Sequence, residues 1–281
     1  MEYRQFGSTG QQVSVIGMGT WYIDLADRDT AIRALQTGLD HGMNHIDTAE
    51  MYGDAELVIR DAIRERRDEA FLVSKVLPHN ASRQGTRRAC ERSLRRLGTD
   101  RLDCYLLHWR GPFPLEETIA GFHELEREGK ILSWGVSNFD ADDLEEAYGI
   151  AKRGGEEIAC DQVLYHLEQR AIEHAVLPWC IRHGLAVTAY SPFGHDDFPG
   201  PHTQGGRVLA EIAEAHNATP HQIALAFLVR HPAVFAIPKA SNPQHTAENA
   251  GAAGLVLSDE EIASIDRVFP RGPRPRTLPT L

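Results

Sequence analysis

The sequence predicts a single-domain (β/α)8 barrel, and two observations carry this prediction. First, eight strand-like runs alternate with helical patterns along the 281 residues, which indicates a parallel sheet with helices on its outer face. Second, Asp47, Lys75 and His108 stand at the ends of three consecutive strand-like runs. The carboxyl ends of barrel strands converge on one mouth, whereas an open doubly wound sheet would spread these residues along an edge. No GxGxxG motif follows the first strand, so the barrel is favoured over the open sheet.

The elements are predicted from hydrophobic periodicity and from capping residues. Two short runs around a Gly/Thr/Gly turn, 3–6 and 13–15, predict an N-terminal β-hairpin. The barrel strands are expected at 15–21, 44–47, 70–75, 101–108, 131–136, 158–163, 185–190 and 233–237. Helices are expected at 29–41 with Asp29 as N-cap, and then at 55–67, 82–97, 115–128, from 140, 172–183, 206–217, 220–231, 243–252 and 259–268. The whole chain, 1–281, is expected to be one domain, with extra C-terminal helices and a flexible Pro/Arg-rich tail at about 270–281.

Composition limits the kinds of partner. The formal net charge is -11, and an acidic surface repels phosphate backbones, so we expect no nucleic-acid partner. No apolar run approaches the roughly 18 residues of a membrane span, and the N-terminal MEYR lacks the features of a signal peptide. The four cysteines show no paired spacing, and no HExxH or Cys/His cluster is present. A cytoplasmic protein without a disulfide framework or a metal is therefore predicted. The absence of an apolar surface stripe makes a monomer our expectation.

The four polar groups at the predicted mouth are suited to one kind of chemistry. A free phenol has a pKa of ~10, and a nearby ammonium lowers it by stabilising the phenolate. Lys75 could supply this charge to Tyr52, while Asp47 could hold Lys75 by an ion pair. A neutral His108 could hydrogen-bond a carbonyl oxygen. Each residue alone also has a structural explanation, such as a helix cap or rim packing. Together at consecutive strand ends they predict proton donation to an oxygen as a hydride reaches its carbon.

Seven motifs, in order, resemble those of the aldo-keto reductase superfamily. They are DTAEMYG at 47–53, SKV at 74–76, LLHW at 106–109, GVSNF at 135–139, DQVLYH at 161–166, AYSPFG at 189–194 and IPKASNPQHTAEN at 237–249. The resemblance covers essentially the whole chain. TWY at 20–22, LPWC at 177–180 and the short chain resemble the bacterial branch that includes methylglyoxal and small-diketone reductases.

The resemblance implies a function and a set of site residues. It implies an NADP(H)-dependent oxidoreductase that reduces aldehydes, ketones or α-dicarbonyls, with Tyr52 as general acid and Asp47, Lys75 and His108 completing the catalytic set. It implies that Ser137, Asn138 and Gln162 hydrogen-bond the nicotinamide carboxamide and that Tyr190 stacks on its ring. The remaining cofactor contacts implied are Gly19, Thr20, Ser191, Pro192, Phe193, Gly194, Ile237, Pro238, Lys239, Ala240, Ser241, Asn242, His245, Glu248 and Asn249.

One departure from the family pattern concerns the cofactor. His245 stands where an arginine usually pairs with the 2′-phosphate, and Ala240 replaces a common serine. Histidine is only partly charged near neutrality and lacks the bidentate fork. NADP(H) is therefore expected to be preferred, through Lys239, while NAD(H) remains possible. His245 simply stacking on adenine is an equally good interpretation.

The sequence does not decide the substrate, and it leaves two alternative functions to be tested. Trp21, Trp109 and Phe113 follow strand ends and are candidates for an apolar substrate wall or for rim packing. A barrel lyase with Lys75 as Schiff-base nucleophile would need an unpaired lysine, which a partner at Asp47 argues against. A slow or non-catalytic nicotinamide-binding, redox-sensing subunit is the other alternative.

Overall fold

The computed structural model describes residues 1–155 and 157–281, and these form a parallel eight-stranded sheet with helices around it. A hairpin of β1 (Tyr3–Gln5) and β2 (Gln12–Ser14) precedes the sheet. The sheet runs in sequence order through β3 (Met18–Gly19), β4 (His45–Asp47), β5 (Phe71–Val76), β6 (Cys104–Leu107), β7 (Trp134–Ser137), β8 (Cys160–Leu164), β9 (Ala186–Tyr190) and β10 (Val234–Ala236). The predicted barrel and N-terminal hairpin are confirmed.

The first and last strands meet and close the sheet into a barrel. Ile16 bridges Ala236 and Gly19 bridges Lys239, both in parallel, and the Gly17 amide donates to the Ala236 carbonyl at 2.8 Å. A Cβ on Gly19 would lie 2.6 Å from the Ile237 carbonyl oxygen. Glycine is therefore required at this seam, where two backbones approach more closely than a side chain allows.

The helices cover the outside of the barrel. They are α1 (Arg28–Asp40), α2 (Ala55–Ile63), α3 (Arg83–Leu97), α4 (Leu115–Arg127), α5 (Ala141–Gly154), α6 (Val176–His183), α7 (Gln204–Ala215), α8 (Pro220–Leu228), α9 (Pro243–Ala250) and α10 (Asp259–Val268). Their apolar faces pack on the outer faces of the strands in one continuous core. Within the described part of the chain, no helix is long and apolar enough to cross a bilayer.

The hairpin closes the end of the barrel opposite the strand carboxyl ends. Phe6 and Val13 pack among buried barrel-interior residues, including Phe71 and Phe235. The Phe6 ring lies 4.9 Å from that of Phe71 and 5.0 Å from that of Phe235. An apolar plug therefore fills the lower interior, and the polar groups are left at the upper mouth.

Several helix boundaries differ from the prediction by one to four residues, and the differences at α1 and α6 have a clear physical cause. Asp27 rather than Asp29 is the N-cap of α1, because its Oδ1 accepts from the Thr30 amide at 2.9 Å. The helix expected at 172–183 is interrupted at Ala175 (φ -145°, ψ -50°), which separates a 3₁₀ turn, Ala171–His174, from α6. Pro178 accounts for the interruption, since its ring would clash with the carbonyl four residues earlier in a continuous helix.

The tail and the cysteines also have defined positions. Residues 270–281 adopt neither helix nor strand. Leu278 packs against the core, and the Gly272 carbonyl lies 3.1 Å from His174 Nε2. All four cysteines are free thiols and buried.

Candidate active site

A cavity of about 630 Å³ opens at the carboxyl ends of the strands. This size is within the range of small-molecule sites. It collects residues from β3, β4, β7, β8 and β9 and from the segments that follow β6 and β10. Its lining is Gly19, Thr20, Trp21, Tyr22, Asp47, Met51, Tyr52, His108, Trp109, Ser137, Asn138, Gln162, Tyr190, Ser191, Pro192, Phe193, Gly194, His195, Asp196, Phe198, Ile237, Lys239 and Leu281.

A buried ion pair lies at the floor of the cavity. Lys75 is completely buried, and its Nζ donates to Asp47 Oδ1 at 2.6 Å and to the Thr48 carbonyl at 2.9 Å. Burial alone lowers the pKa of Lys75, but the Asp47 carboxylate and the Tyr52 phenol outweigh it, so the net pKa is raised. Burial raises the pKa of Asp47, and the ammonium offsets part of that rise. Lys75 is therefore charged near neutrality and held by its partner.

The Tyr52 hydroxyl stands above this pair and opens into the cavity. Lys75 Nζ lies 3.4 Å from the hydroxyl and 4.9 Å from the centroid of the ring. Burial raises the pKa of Tyr52, and Lys75 lowers it by less, so the net direction is upward. The sequence-based expectation of a net lowering was wrong, because it ignored desolvation of the phenolate. Tyr52 is consequently a protonated phenol near neutrality, with a cation adjacent to stabilise the phenolate when it forms.

His108 lies beside Tyr52, with ring centroids 5.8 Å apart. Burial, assisted by the Lys75 charge, lowers the pKa of His108 to about 2. The ring is therefore neutral at physiological pH. Its Nδ1 is buried and makes no hydrogen bond to any described residue. A neutral imidazole at this position can donate or accept one hydrogen bond without changing its charge.

A hydrogen-bonded network continues from the ion pair along β7, β8 and β9. Gln162 Nε2 donates to Asp47 Oδ2 at 2.7 Å, so its carbonyl oxygen and its second N–H are left for a ligand. Ser137 Oγ donates to the Gln162 backbone carbonyl at 2.8 Å. The Tyr190 hydroxyl donates to Asn138 Oδ1 at 2.9 Å, and Asn138 Nδ2 donates to the His108 carbonyl at 3.1 Å. The network orients the residues predicted to contact nicotinamide and links them to the predicted catalytic residues.

Left-handed backbone is concentrated around the cavity. Tyr22, Asn138, Ser191 and Asp196 have φ values of 60°, 61°, 47° and 64°, and all four line it. Such conformations cost non-glycine residues free energy and are retained where the surroundings enforce them. Backbone strain therefore coincides with the predicted site.

The second carboxylate of the DTAEMYG loop has a structural role. Glu50 Oε1 accepts from the Leu77 amide at 2.7 Å and from Asn80 Nδ2 at 3.0 Å. Its other oxygen pairs with Arg92 at 3.0 Å. Glu50 thus ties the loop after β4 to the loop after β5 and holds Tyr52 over Lys75.

The remaining predicted cofactor contacts, in the segment 237–249, lie along the seam between β3 and the chain after β10. Ile237 and Lys239 line the cavity, and Lys239 Nζ lies 3.3 Å from Ser241 Oγ. Asn242 caps α9 through the Gln244 amide, and His245 is exposed on its first turn. Seven predicted cofactor residues do not line the cavity itself: Pro238, Ala240, Ser241, Asn242, His245, Glu248 and Asn249.

Of the three predicted substrate residues, the structure brings two together. Trp21 and Trp109 line the cavity, whereas Phe113 packs against the core instead. Sequence reasoning missed six other lining residues. Tyr22 and Met51 stand inside motifs that were already recognised, but nothing in the sequence marked the segment after Gly194 as part of the wall. The missed residues are Tyr22, Met51, His195, Asp196, Phe198 and Leu281.

Within the described residues, no group of three or more His, Cys, Asp or Glu is arranged to hold a metal ion.

Comparisons with known proteins agree with this geometry. The model of the Aldo/keto reductase family matches residues 15–269. The methylglyoxal reductase YeaE of Escherichia coli (strain K12) is 45% identical over 259 residues, which cover 91% of this chain and 90% of that protein. An aldo-keto reductase of Klebsiella pneumoniae in complex with NADPH superposes with a TM-score of 0.91 at 45% identity, covering 100% and 99% of the two chains. A Klebsiella pneumoniae aldo/keto reductase with NADP and acetate gives 0.91 at 44% identity, covering 100% of each chain.

Proposed function

Since the chain belongs to the aldo/keto reductase family, we propose that it reduces aldehydes, ketones or α-dicarbonyl compounds to alcohols with NADPH, using Tyr52 as the proton donor. The observation that carries the proposal is the 3.4 Å approach of Lys75 Nζ to the Tyr52 hydroxyl inside the cavity. A protonated phenol beside a fixed cation is the arrangement that proton donation to a carbonyl oxygen requires.

The residues around the cavity fit a nicotinamide cofactor. The Tyr190 side chain is fixed by its hydrogen bond to Asn138 and lines the same cavity as Tyr52. Ser137, Asn138 and the free carbonyl of Gln162 would hold the carboxamide, and Lys239 would meet the 2′-phosphate. When bound, reduced nicotinamide supplies the hydride. The Klebsiella pneumoniae proteins whose structures contain NADPH or NADP support this choice of cofactor.

The proposed proton transfer follows from the charges at the floor of the cavity. A carbonyl oxygen accepts hydrogen bonds from Tyr52 and His108, which orient it. As negative charge develops on that oxygen, Tyr52 transfers its proton, and the phenolate left behind is stabilised by Lys75. Asp47 keeps the ammonium fixed at 2.6 Å, so little reorganisation is needed during the reaction.

The lyase alternative is disfavoured by the ion pair. A Schiff-base lysine must be accessible and uncharged to attack a carbonyl. Lys75 is completely buried and bonded to Asp47, Thr48 and Tyr52. The lysine therefore serves better as a fixed charge than as a nucleophile.

The test is loss of reduced-nicotinamide absorbance with methylglyoxal, a small diketone and an aromatic aldehyde, with NADPH and NADH run in parallel. We expect turnover with NADPH and weaker turnover with NADH. Methylglyoxal is included because the E. coli relative is named as its reductase. If both cofactors bind but neither is consumed, the proposal fails and a redox-sensing role replaces it.

A further inference from the structure

The substrate end of the cavity is walled by stacked aromatic rings. Trp21 stacks on His195, with ring centroids 5.8 Å apart and planes 25° apart, and on Tyr22 at 4.5 Å and 21°. Its ring lies 6.3 Å from that of Tyr52. On the other side of Tyr52, His108 contacts Trp109 at 4.8 Å. The rings form a continuous surface that leads to the proton donor, and such a surface favours flat, apolar groups.

This end of the cavity carries no net positive charge. Among the described residues that line the whole cavity, Lys239 is the one lysine or arginine. It bridges Gly19 at the barrel seam and lies beside Ser241, and in the proposed function the cofactor 2′-phosphate would occupy it. The charge of Lys75 is offset by Asp47 beneath the floor. Arg110, the residue after Trp109, is paired with Glu146 at 2.8 Å and with Asp143 at 3.4 Å. A carboxylate on a substrate would therefore find no unpaired cation among the described residues beside the aromatic rings.

The loop after β9 adds a negative charge to the wall. Asp196 lines the cavity next to His195, in a left-handed conformation with φ 64°. The next residue, Asp197, accepts the His195 amide at 2.7 Å through Oδ1, so the turn that presents His195 and Asp196 is held by its own hydrogen bond. Asp196 makes no such contact in the described part of the chain, and it is exposed.

We propose that the substrate end selects uncharged carbonyl compounds with a flat apolar substituent and discriminates against those that also bear a carboxylate, with Asp196 supplying the electrostatic part. The inference rests on the proposed reductase function. An anionic substrate would leave water for an aromatic wall without gaining a partner, and it would meet the charge of Asp196. Because Asp196 is exposed, its own effect is screened by salt, and most of the discrimination comes from the missing cation.

The experiment compares methyl 4-formylbenzoate with 4-formylbenzoate, which have nearly the same shape and differ in charge. The readout is the ratio of kcat/KM for the ester to that for the carboxylate, measured at pH 8 with saturating NADPH. A ratio within one variant cancels changes in folding or general activity. We expect about tenfold or greater preference for the ester, since the carboxylate gains no partner for its lost hydration.

Two variants of Asp196 and one control variant measure how much of the discrimination against the carboxylate comes from the charge of Asp196. Asp196→Asn should lower the ratio about two- to threefold, Asp196→Lys should lower it about tenfold, and 0.5 M NaCl should reduce the differences between these variants. Glu65→Gln also removes one exposed negative charge. Since Glu65 follows the carboxyl end of α2, it lies at the opposite end of the barrel, and its ratio should match that of the unmodified protein.

The possible failures are distinguishable. Equal use of the ester and the carboxylate would overturn this inference while leaving the reductase function intact. A ratio that is the same in the Asp196→Asn and Asp196→Lys variants would remove Asp196 from the selection. If neither aldehyde nor methylglyoxal is reduced, the proposed function fails, and this inference fails with it.

Discussion

Replacing Tyr52 by phenylalanine removes one oxygen atom from the centre of the site and tests the proposed mechanism most directly. The aromatic ring stays, so the contacts with Trp21 and His108 are preserved. Among the described residues, the hydroxyl has one hydrogen-bond partner, Lys75 Nζ at 3.4 Å. Losing a bond of this length should cost the folded protein about 1 kcal/mol or less.

The effect on catalysis should be much larger than the effect on stability. A positioned proton donor contributes roughly 10²- to 10⁴-fold to the rate, which corresponds to about 2.7–5.5 kcal/mol of barrier. The pKa of Tyr52 is raised and that of His108 is lowered to about 2, so neither group titrates near pH 7. The rate of the chemical step in the unmodified protein should therefore be flat between about pH 6 and 8, without the inflection near 6.5 that an ordinary histidine produces.

The assay is single-turnover oxidation of bound NADPH, with the dissociation constant of NADPH measured separately by fluorescence. Tyr22→Phe is the matched control, because Tyr22 lines the same cavity but stacks on Trp21 away from Lys75. We expect a loss of at least 100-fold for Tyr52→Phe, with NADPH affinity retained and the control within a few-fold of the unmodified protein. Turnover retained in Tyr52→Phe would refute the assignment of the proton donor.

Three further predictions concern the cofactor, the barrel interior and the ion pair. His245→Arg should lower the KM for NADPH several-fold and leave the KM for NADH nearly unchanged, because a guanidinium binds a phosphate through two hydrogen bonds. An equal change in KM for both cofactors would show that position 245 does not face the 2′-phosphate. Burial lowers the pKa of His45 to about 3, below the value of ~6.5 in the unfolded chain. Its contribution to stability is therefore present above pH 6.5 and is lost as the pH falls, by about 2 kcal/mol at pH 5. Urea unfolding of His45→Phe should show a smaller loss between pH 7 and pH 5 by about that amount, and an unchanged pH dependence would contradict the buried neutral ring. Lys75→Met should reduce the free energy of unfolding by about 3–5 kcal/mol, because it leaves the buried Asp47 carboxylate without its cation. Adding Asp47→Leu should recover part of this loss, and a double variant less stable than Lys75→Met would contradict the explanation.

Much of the candidate site could be predicted because its residues follow strand ends. Asp47, Lys75 and His108 stand at the ends of consecutive strands in the sequence, and a closed parallel barrel brings such ends to one mouth. The neighbouring motifs placed Ser137, Gln162 and Tyr190 there as well. Strand periodicity and capping residues located most elements to within a few positions, and α10 was predicted with its observed bounds.

Other features depended on packing that no local pattern encodes. The direction of the pKa shift of Tyr52 is set by burial, and burial is a property of the assembled mouth. Trp109 and Phe113 stand close together in the sequence, yet only Trp109 lines the cavity. Pro178 was a local signal for the helix interruption at Ala175. That Pro178 lies in the first turn of α6 became clear only from the structure.

The sequence by itself determined the alternation of strands and helices, the family, and the four polar residues at the mouth, because these depend on periodicity, residue type and order along the chain. The tertiary structure decided which side chains share a wall and which charges lack a partner. Trp21 and His195 are separated by most of the barrel in sequence and stack because β3 and β9 flank β10 in the closed sheet. The charges and contacts around the cavity come from residues that are far apart in the sequence, and only closure of the barrel brings those residues together.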